Sequence, residues 1–131
     1  MDSVTIFGEV GSGLGVGKAF VAKEWVRRQC LEKLGFTPFT GTFNVKIRGD
    51  TVEAFLQNLQ QAPGIEILPG EPNFCKGRCI RVEIANLIQG AVVIPEKTGH
   101  LPETLEIIAP VNIRETLGLQ DGETVMIKLT V

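Results

Sequence analysis

Residues 8–20 read Gly-Glu-Val-Gly-Ser-Gly-Leu-Gly-Val-Gly-Lys-Ala-Phe, with glycine at every second position from Gly11 to Gly17. In an extended backbone, alternate side chains point to one face. One face of this run is therefore bare main chain. A long polar ligand such as a polyphosphate can lie against it and accept hydrogen bonds from backbone N–H groups. Lys18 closes the run with a positive charge. The spacing is not that of a P-loop, G-x-x-x-x-G-K-[ST]. Read back from Gly17-Lys18, Ser12 takes the place of the first glycine and Ala19 that of the magnesium-binding hydroxyl. G-x-G-x-x-G fails as well, because Val16 stands where Gly11 and Gly13 require the last glycine. Spacing alone leaves two readings open: a phosphate cradle, or a loose hairpin whose glycines serve twist and turns.

The rest of the chain must supply a core for this run. At 131 residues it is expected to form one domain, residues 1–131. Hydrophobic residues make up 44% and aromatics only 6%, so the core is aliphatic, with Val and Ile prominent. That leans toward strands. No stretch approaches the roughly 20 apolar residues of a membrane-spanning helix, and no signal pattern opens the chain. The three cysteines, Cys30, Cys75 and Cys79, cannot all pair, and Cys75 and Cys79 lack metal-site spacing. This usage points to a reduced, cytoplasmic protein, although Cys75 and Cys79 lie near enough for a bridge. A net charge of −2 and a pI near 5.4 give no basic balance to attract nucleic acid.

Periodicity orders the elements. Residues 4–10 predict a strand with Val4, Ile6 and Gly8 on one face. After the glycine run, Ala19-Phe20-Val21 is expected to return as a second extended piece. Residues 22–34 predict a helix, with Ala22, Trp25, Val26, Cys30 and Leu34 on its apolar stripe and Gly35 as a left-handed C-cap. Trp25 and Cys30 are read as packing residues. Residues 36–41 are a loop, and 42–47 a strand with Thr42, Asn44 and Lys46 on the polar face. Asp50 and Glu53 form an expected capping box for a second helix that buries Val52, Phe55, Leu56 and Leu59. Strands are expected at 65–68, 80–85, 91–94, 104–108 and 125–131. Gly90 is read as a break, and Pro110 as the opening of a short helix over 111–117. Several short strands with two or three interposed helices suggest a small closed β-barrel with helical insertions.

Candidate chemistry is sparse. His100 is the only histidine, which leaves no paired-histidine metal site and no supported catalytic triad. Thr42-x-Asn44 puts two neutral oxygen groups on one side of a strand. A magnesium ion that keeps its waters and borrows phosphate oxygens needs few protein ligands; ordinary strand polarity is the alternative. Glu103 and Glu106 can be a base, ligand contacts or plain surface carboxylates. Asn112 and Arg114 can contact a ligand or form a helix's solvent face.

Four segments taken together resemble the archaeal CTP-dependent riboflavin kinase family. They are Gly8 to Gly17; Leu34 to Lys46 with Gly41-Thr42-Phe43-Asn44-Val45; Ala91 to Thr98; and Glu106-Ile107-Ile108-Ala109-Pro110 running into Ile113-Arg114-Glu115. They keep the family's order and span nearly the whole chain. The resemblance implies a six-stranded cradle-loop barrel, mainly β with inserted helices. It implies transfer of the γ-phosphoryl group of CTP to the 5′-hydroxyl of riboflavin, giving FMN and CDP. By position it implies nucleotide binding by Gly11, Ser12, Gly13, Leu14, Gly15, Val16, Gly17 and Lys18, and by Val111, Asn112, Ile113 and Arg114. It implies flavin binding by Thr98 and Glu106, and Mg2+ binding by Thr42 and Asn44. No catalytic base is assigned; Glu106 is the candidate if its carboxylate reaches the 5′-hydroxyl. Some relatives carry an N-terminal winged helix. This chain starts at the barrel, so a DNA-binding module is not expected, nor a membrane partner, and a monomer is.

Two rival readings share the barrel. Residues 111–128 also resemble swapped-hairpin barrels of DNA-binding regulators, a reading opposed by the acidic pI and the lack of an Arg/Lys-rich run. The other is a flavin or nucleotide carrier without catalysis.

Overall fold

The computed structural model describes residues 3–11, 16–47, 49–72, 74, 76–95 and 104–130. Its strands are β1 (Ser3–Gly11), β2 (Phe43–Ile47), β3 (Ile65–Ile67), β4 (Gly77–Ile84), β5 (Ile88–Pro95), β6 (Thr104–Ile108) and β7 (Thr124–Thr130). Its helices are α1 (Val16–Val21), α2 (Glu24–Leu34), α3 (Val52–Gln61) and α4 (Ile113–Leu117). Every strand pairing is antiparallel, in the order β3-β4-β5-β6-β2-β1-β7. The second half of β4 also pairs with β7, through Val82↔Leu129 to Ile84↔Ile127. Six strands thus close into a barrel-like ring, and β3 extends it along the first half of β4.

Period-two patterning divides the ring into two faces. Ile6, Val10, Phe43, Val45, Ile80, Val82, Val92, Leu105, Ile107, Ile127 and Leu129 fill the interior, joined by Phe55 and Leu59 of α3 and Ile113 of α4. A second core lies outside the ring, where α2 sets Trp25, Val26, Cys30 and Leu34 on Ile67, Cys79, Ala91, Val93 and Ile108. Strand β5 is covered on both faces, which is why 91–94 is a continuous apolar run. Helix α2 ends as expected, with Gly35 at φ 86° and its N–H donating to the Cys30 carbonyl.

Four expectations need correction. Ala19-Phe20-Val21 is helical, not extended, and Val16 and Gly17 belong to the same helix, α1. Val21, in the last turn of α1, is 0% exposed and enters the outer core, while Lys18 in the same helix stays exposed. The Asp50/Glu53 capping box does not form. Thr51 is the N-cap, without a side-chain bond, and the Gly49 carbonyl accepts from the Val52 N–H instead. Gly90 does not break the chain; it sits inside β5, paired with Val82. There a Cβ would come within 2.6 Å of the Ile108 carbonyl oxygen, so glycine allows β5 and β6 to approach. The turn falls at 85–87, where Ala85 and Asn86 have φ of 54° and 56° and the Leu87 N–H donates to the Ile84 carbonyl. Finally, α4 starts at Ile113 with Asn112 as N-cap, so Pro110 precedes it and does not open it. Cys79 is a free, buried thiol beside α2; its expected neighbour Cys75 lies outside the described residues.

Candidate functional site

Strand register builds one row of the site. Gly11, the last residue of β1, pairs with Asn44 of β2, and Asn44 pairs with Glu106 of β6. Paired residues in antiparallel strands face the same way, so Asn44 and Glu106 stand side by side on the outer face of the ring. Phe43 and Val45, 5% and 0% exposed, point inward and hold β2 in place. Thr42 and Asn44 are half-buried on the outer side. Their oxygens are neighbours: the Thr42 hydroxyl donates to Asn44 Oδ1 at 3.3 Å, and Asn44 Nδ2 donates to the Thr42 carbonyl at 3.3 Å.

A cavity of about 440 Å³ opens beside this row. Gly11 and Lys18, Thr42 and Asn44, and Val111 through Arg114 all line it. These three groups of candidates are far apart in sequence and meet in one place. The volume falls in the range of roughly 300–1,000 Å³ usual for small-molecule sites. Glu106 stands beside the cavity and not in its lining.

Each wall is anchored. Lys18 rides on α1, whose Phe20 ring meets Trp25 edge-on at 5.9 Å. Trp25 is fixed in turn by its indole N–H donating to Glu71 Oε1 at 3.2 Å, and Lys23 pairs with the same carboxylate at 3.1 Å. The Trp25 hydrogen bond, then Lys23, hold the Glu71 carboxyl below its ordinary range. On the far wall, Asn112 Oδ1 accepts from the Glu115 N–H at 3.1 Å and so caps α4. Arg114 forms an ion pair with Asp121 at 2.8 Å. Ile113 is 3% exposed and packs in the interior, so only its main chain can meet a ligand.

The loop at 36–41 also lines the cavity, through Phe39, Thr40 and Gly41, as does Ala109. None of these residues stands out as a site candidate by motif or spacing. The available signal was an aromatic residue in a Pro- and Thr-containing loop just before Thr42. The loop is pinned from two sides: Arg27 Nη1 donates to the Pro38 carbonyl at 2.9 Å, and the Phe39 N–H donates to the Ala109 carbonyl at 2.8 Å. Ser12, Gly13, Leu14, Gly15, Thr98, His100 and Glu103 lie outside the described residues.

The oxygen pair fits a magnesium ion in type and spacing. Adjacent ligands of an octahedral ion bound at about 2.0–2.1 Å are roughly 3 Å apart, close to the 3.3 Å between Thr42 Oγ1 and Asn44 Oδ1. Among the described residues no cluster of three or more His, Cys, Asp or Glu side chains could hold a metal. Among them, too, no helix is long and apolar enough to cross a membrane.

A model of the CTP-dependent riboflavin kinase domain, described as a domain of unknown function (DUF120), matches residues 10–129. The chain belongs to this family. Curated relatives named riboflavin kinase include those of Pyrobaculum aerophilum, 40% identical over 97% of this chain and 61% of the relative, and of Archaeoglobus fulgidus, 38% identical over 97% and 55%. The protein of Methanosarcina barkeri is 36% identical over 98% of this chain and 58% of its own length. The chain thus spans about three fifths of the length of the curated riboflavin kinases it matches. The family's match takes in every residue that lines the cavity, and all of β2 through β6.

Proposed function

We propose that this chain carries the phosphotransferase activity of a riboflavin kinase, moving the γ-phosphoryl group of CTP to the 5′-hydroxyl of riboflavin and releasing FMN and CDP. The observation that carries this reading is the meeting of Gly11 and Lys18, Thr42 and Asn44, and 111–114 around one cavity. Family membership and the names of the relatives support it. Phosphoryl transfer asks a protein for positioning and charge neutralisation more than for covalent chemistry.

In this reading the phosphates of CTP run from Gly11 past Thr42 and Asn44. Lys18 and Arg114, both lining the cavity, supply positive charge to them. Thr42 and Asn44 would hold a magnesium ion, which would supply neutralisation of charge on the transferring group. Main-chain groups of 111–114 read the base: cytosine offers an exocyclic amine beside ring acceptors, a pattern that backbone C=O and N–H groups can match. Glu106 faces the same side as Asn44 and is the candidate base, provided its carboxylate reaches the 5′-hydroxyl of bound riboflavin.

The test is incubation with riboflavin, magnesium and each nucleoside triphosphate in turn, followed by chromatographic detection of FMN. FMN should form fastest with CTP. Equal rates with ATP and CTP would overturn the donor assignment. Riboflavin binding without FMN from any donor would overturn the kinase reading in favour of a carrier.

A further inference from the structure

Phe39 and Val111 are large apolar side chains left 42% and 40% exposed. Single exposed apolar residues are ordinary. These two, however, both line the cavity, on segments distant in sequence. The Phe39 N–H donates to the Ala109 carbonyl, which ties the two segments together two residues before Val111. With Pro38 held by Arg27, the Phe39 backbone is fixed before any ligand arrives. The remaining lining that is exposed or half-buried is polar, glycine or cationic: Gly11, Lys18, Thr42, Asn44 and Arg114 among them. The cavity lining therefore combines polar and cationic groups suited to phosphates with an exposed aromatic ring and an exposed aliphatic side chain.

We propose that Phe39 is the stacking platform for the pyrimidine ring of the donor nucleotide, with Val111 packing beside it. This rests on the reading of the cavity as the CTP site. A nucleotide whose phosphates lie at Gly11 and Lys18 must place its base elsewhere in the same cavity, and among the described residues Phe39 is the one aromatic side chain there with substantial exposure. The flavin is the poorer candidate for this ring, since Glu106, the described residue expected to meet it, stands outside the lining. Aromatic stacking is tolerant of base identity because every base presents a π-face. Phe39 accordingly contributes affinity, and base choice stays with the 111–114 segment.

Calorimetric titration with CTP, and with UTP as a second pyrimidine, tests this on the parent, Phe39→Ala, Phe39→Leu and Phe39→Tyr. Loss of the ring in Phe39→Ala should weaken CTP about tenfold, weaken UTP by the same factor, and leave the riboflavin KM unchanged. Phe39→Tyr, which keeps a flat ring, should bind CTP more tightly than Phe39→Leu, which keeps only apolar bulk. Parent-like CTP affinity in a folded Phe39→Ala protein overturns the platform, as does a shift in riboflavin KM with CTP affinity intact. A parent protein that binds no CTP overturns the reading of the cavity, and the platform with it.

Discussion

Replacing Asn44 with alanine separates the chemistry of the site from the stability of the fold. Among the described residues, the hydrogen bonds of the Asn44 side chain run only to Thr42, at 3.3 Å each, and Asn44 is half-buried on the outer face. Two long bonds at a partly solvated position contribute about 1 kcal/mol at most. Phe43 and Val45 continue to hold β2 from inside. For a domain of this size the melting temperature should fall by no more than about 3–6 °C. The effect on turnover should be larger. If Asn44 and Thr42 share one magnesium ion, Asn44→Ala should slow FMN formation about tenfold or more, equivalent to about 1.4 kcal/mol of barrier. The magnesium concentration for half-maximal rate should rise. Thr42→Ala/Asn44→Ala should cost less than the two single changes added together, because both act through the same ion. The assay is initial FMN production at saturating CTP and riboflavin across a magnesium titration. Parent-like rate and magnesium dependence in both variants would refute the metal site and reduce the pair to ordinary strand polarity.

Two further perturbations probe the frame that carries the site. Gly90→Ala would bring a Cβ within 2.6 Å of the Ile108 carbonyl oxygen and 3.1 Å of Ile84 Cδ1. Strands β5 and β6 must separate to admit it, at a cost of roughly 1–3 kcal/mol; an unchanged urea midpoint would show that the contact relaxes freely. Burial pushes the Cys30 thiol from 9.0 up to about 11 and that of Cys79 up to about 12. The folded state then keeps protons that the unfolded state has lost, so these thiols lower stability as pH rises from about 9 toward 11, on the order of 1 kcal/mol per pH unit for each. Urea unfolding at pH 8, 9 and 10 should show this decline, and Cys30→Ala should make it shallower; identical slopes in the two proteins would contradict it.

What the sequence reveals most readily is what repeats with a fixed period. The alternation of 43, 45 and 47 against 42, 44 and 46 correctly assigns both faces of β2, and with them the outward position of Asn44. The stripe of α2 and its Gly35 cap are read from the same kind of pattern, except that the helix starts at Glu24 and leaves Ala22 exposed ahead of it. Glycines mislead, because glycine is compatible with several backbones. The run at 11–17 looks extended throughout, yet from Val16 the chain is helical, since Val21 must enter the outer core and Phe20 must reach Trp25. Gly90 reads as a break and is a close approach of two strands. Asn112 shows how an end effect escapes periodicity: its side chain caps α4, a role visible only once Glu115 is known to lie over it. The Phe39 loop has no period at all, and only its long-range hydrogen bonds, from Arg27 to the Pro38 carbonyl and from the Phe39 N–H to the Ala109 carbonyl, reveal that it forms a wall.

The placement of the site follows from where the outer core stops. Residues 105 and 107 of β6 point into the ring, and 106 and 108 point out. Ile108 is 1% exposed, because it lies within the outer core that α2 and its neighbours cover. Glu106, two residues earlier on the same side, is only half-buried and stands beside Asn44. The boundary between packing and chemistry thus crosses a single strand within one alternation. On the covered side an outward residue must be apolar, as in Ala91, Val93 and Ile108. On the open side it is free to be polar, as in Asn44, Lys46 and Glu106, at no cost to the interior that the intervening residues fill. Shifting β6 by one residue against β2 would turn Glu106 into the ring and Leu105 out toward Asn44. The apolar interior that stabilises the ring therefore also fixes the register, and the register sets Glu106, Asn44 and Gly11 in one row.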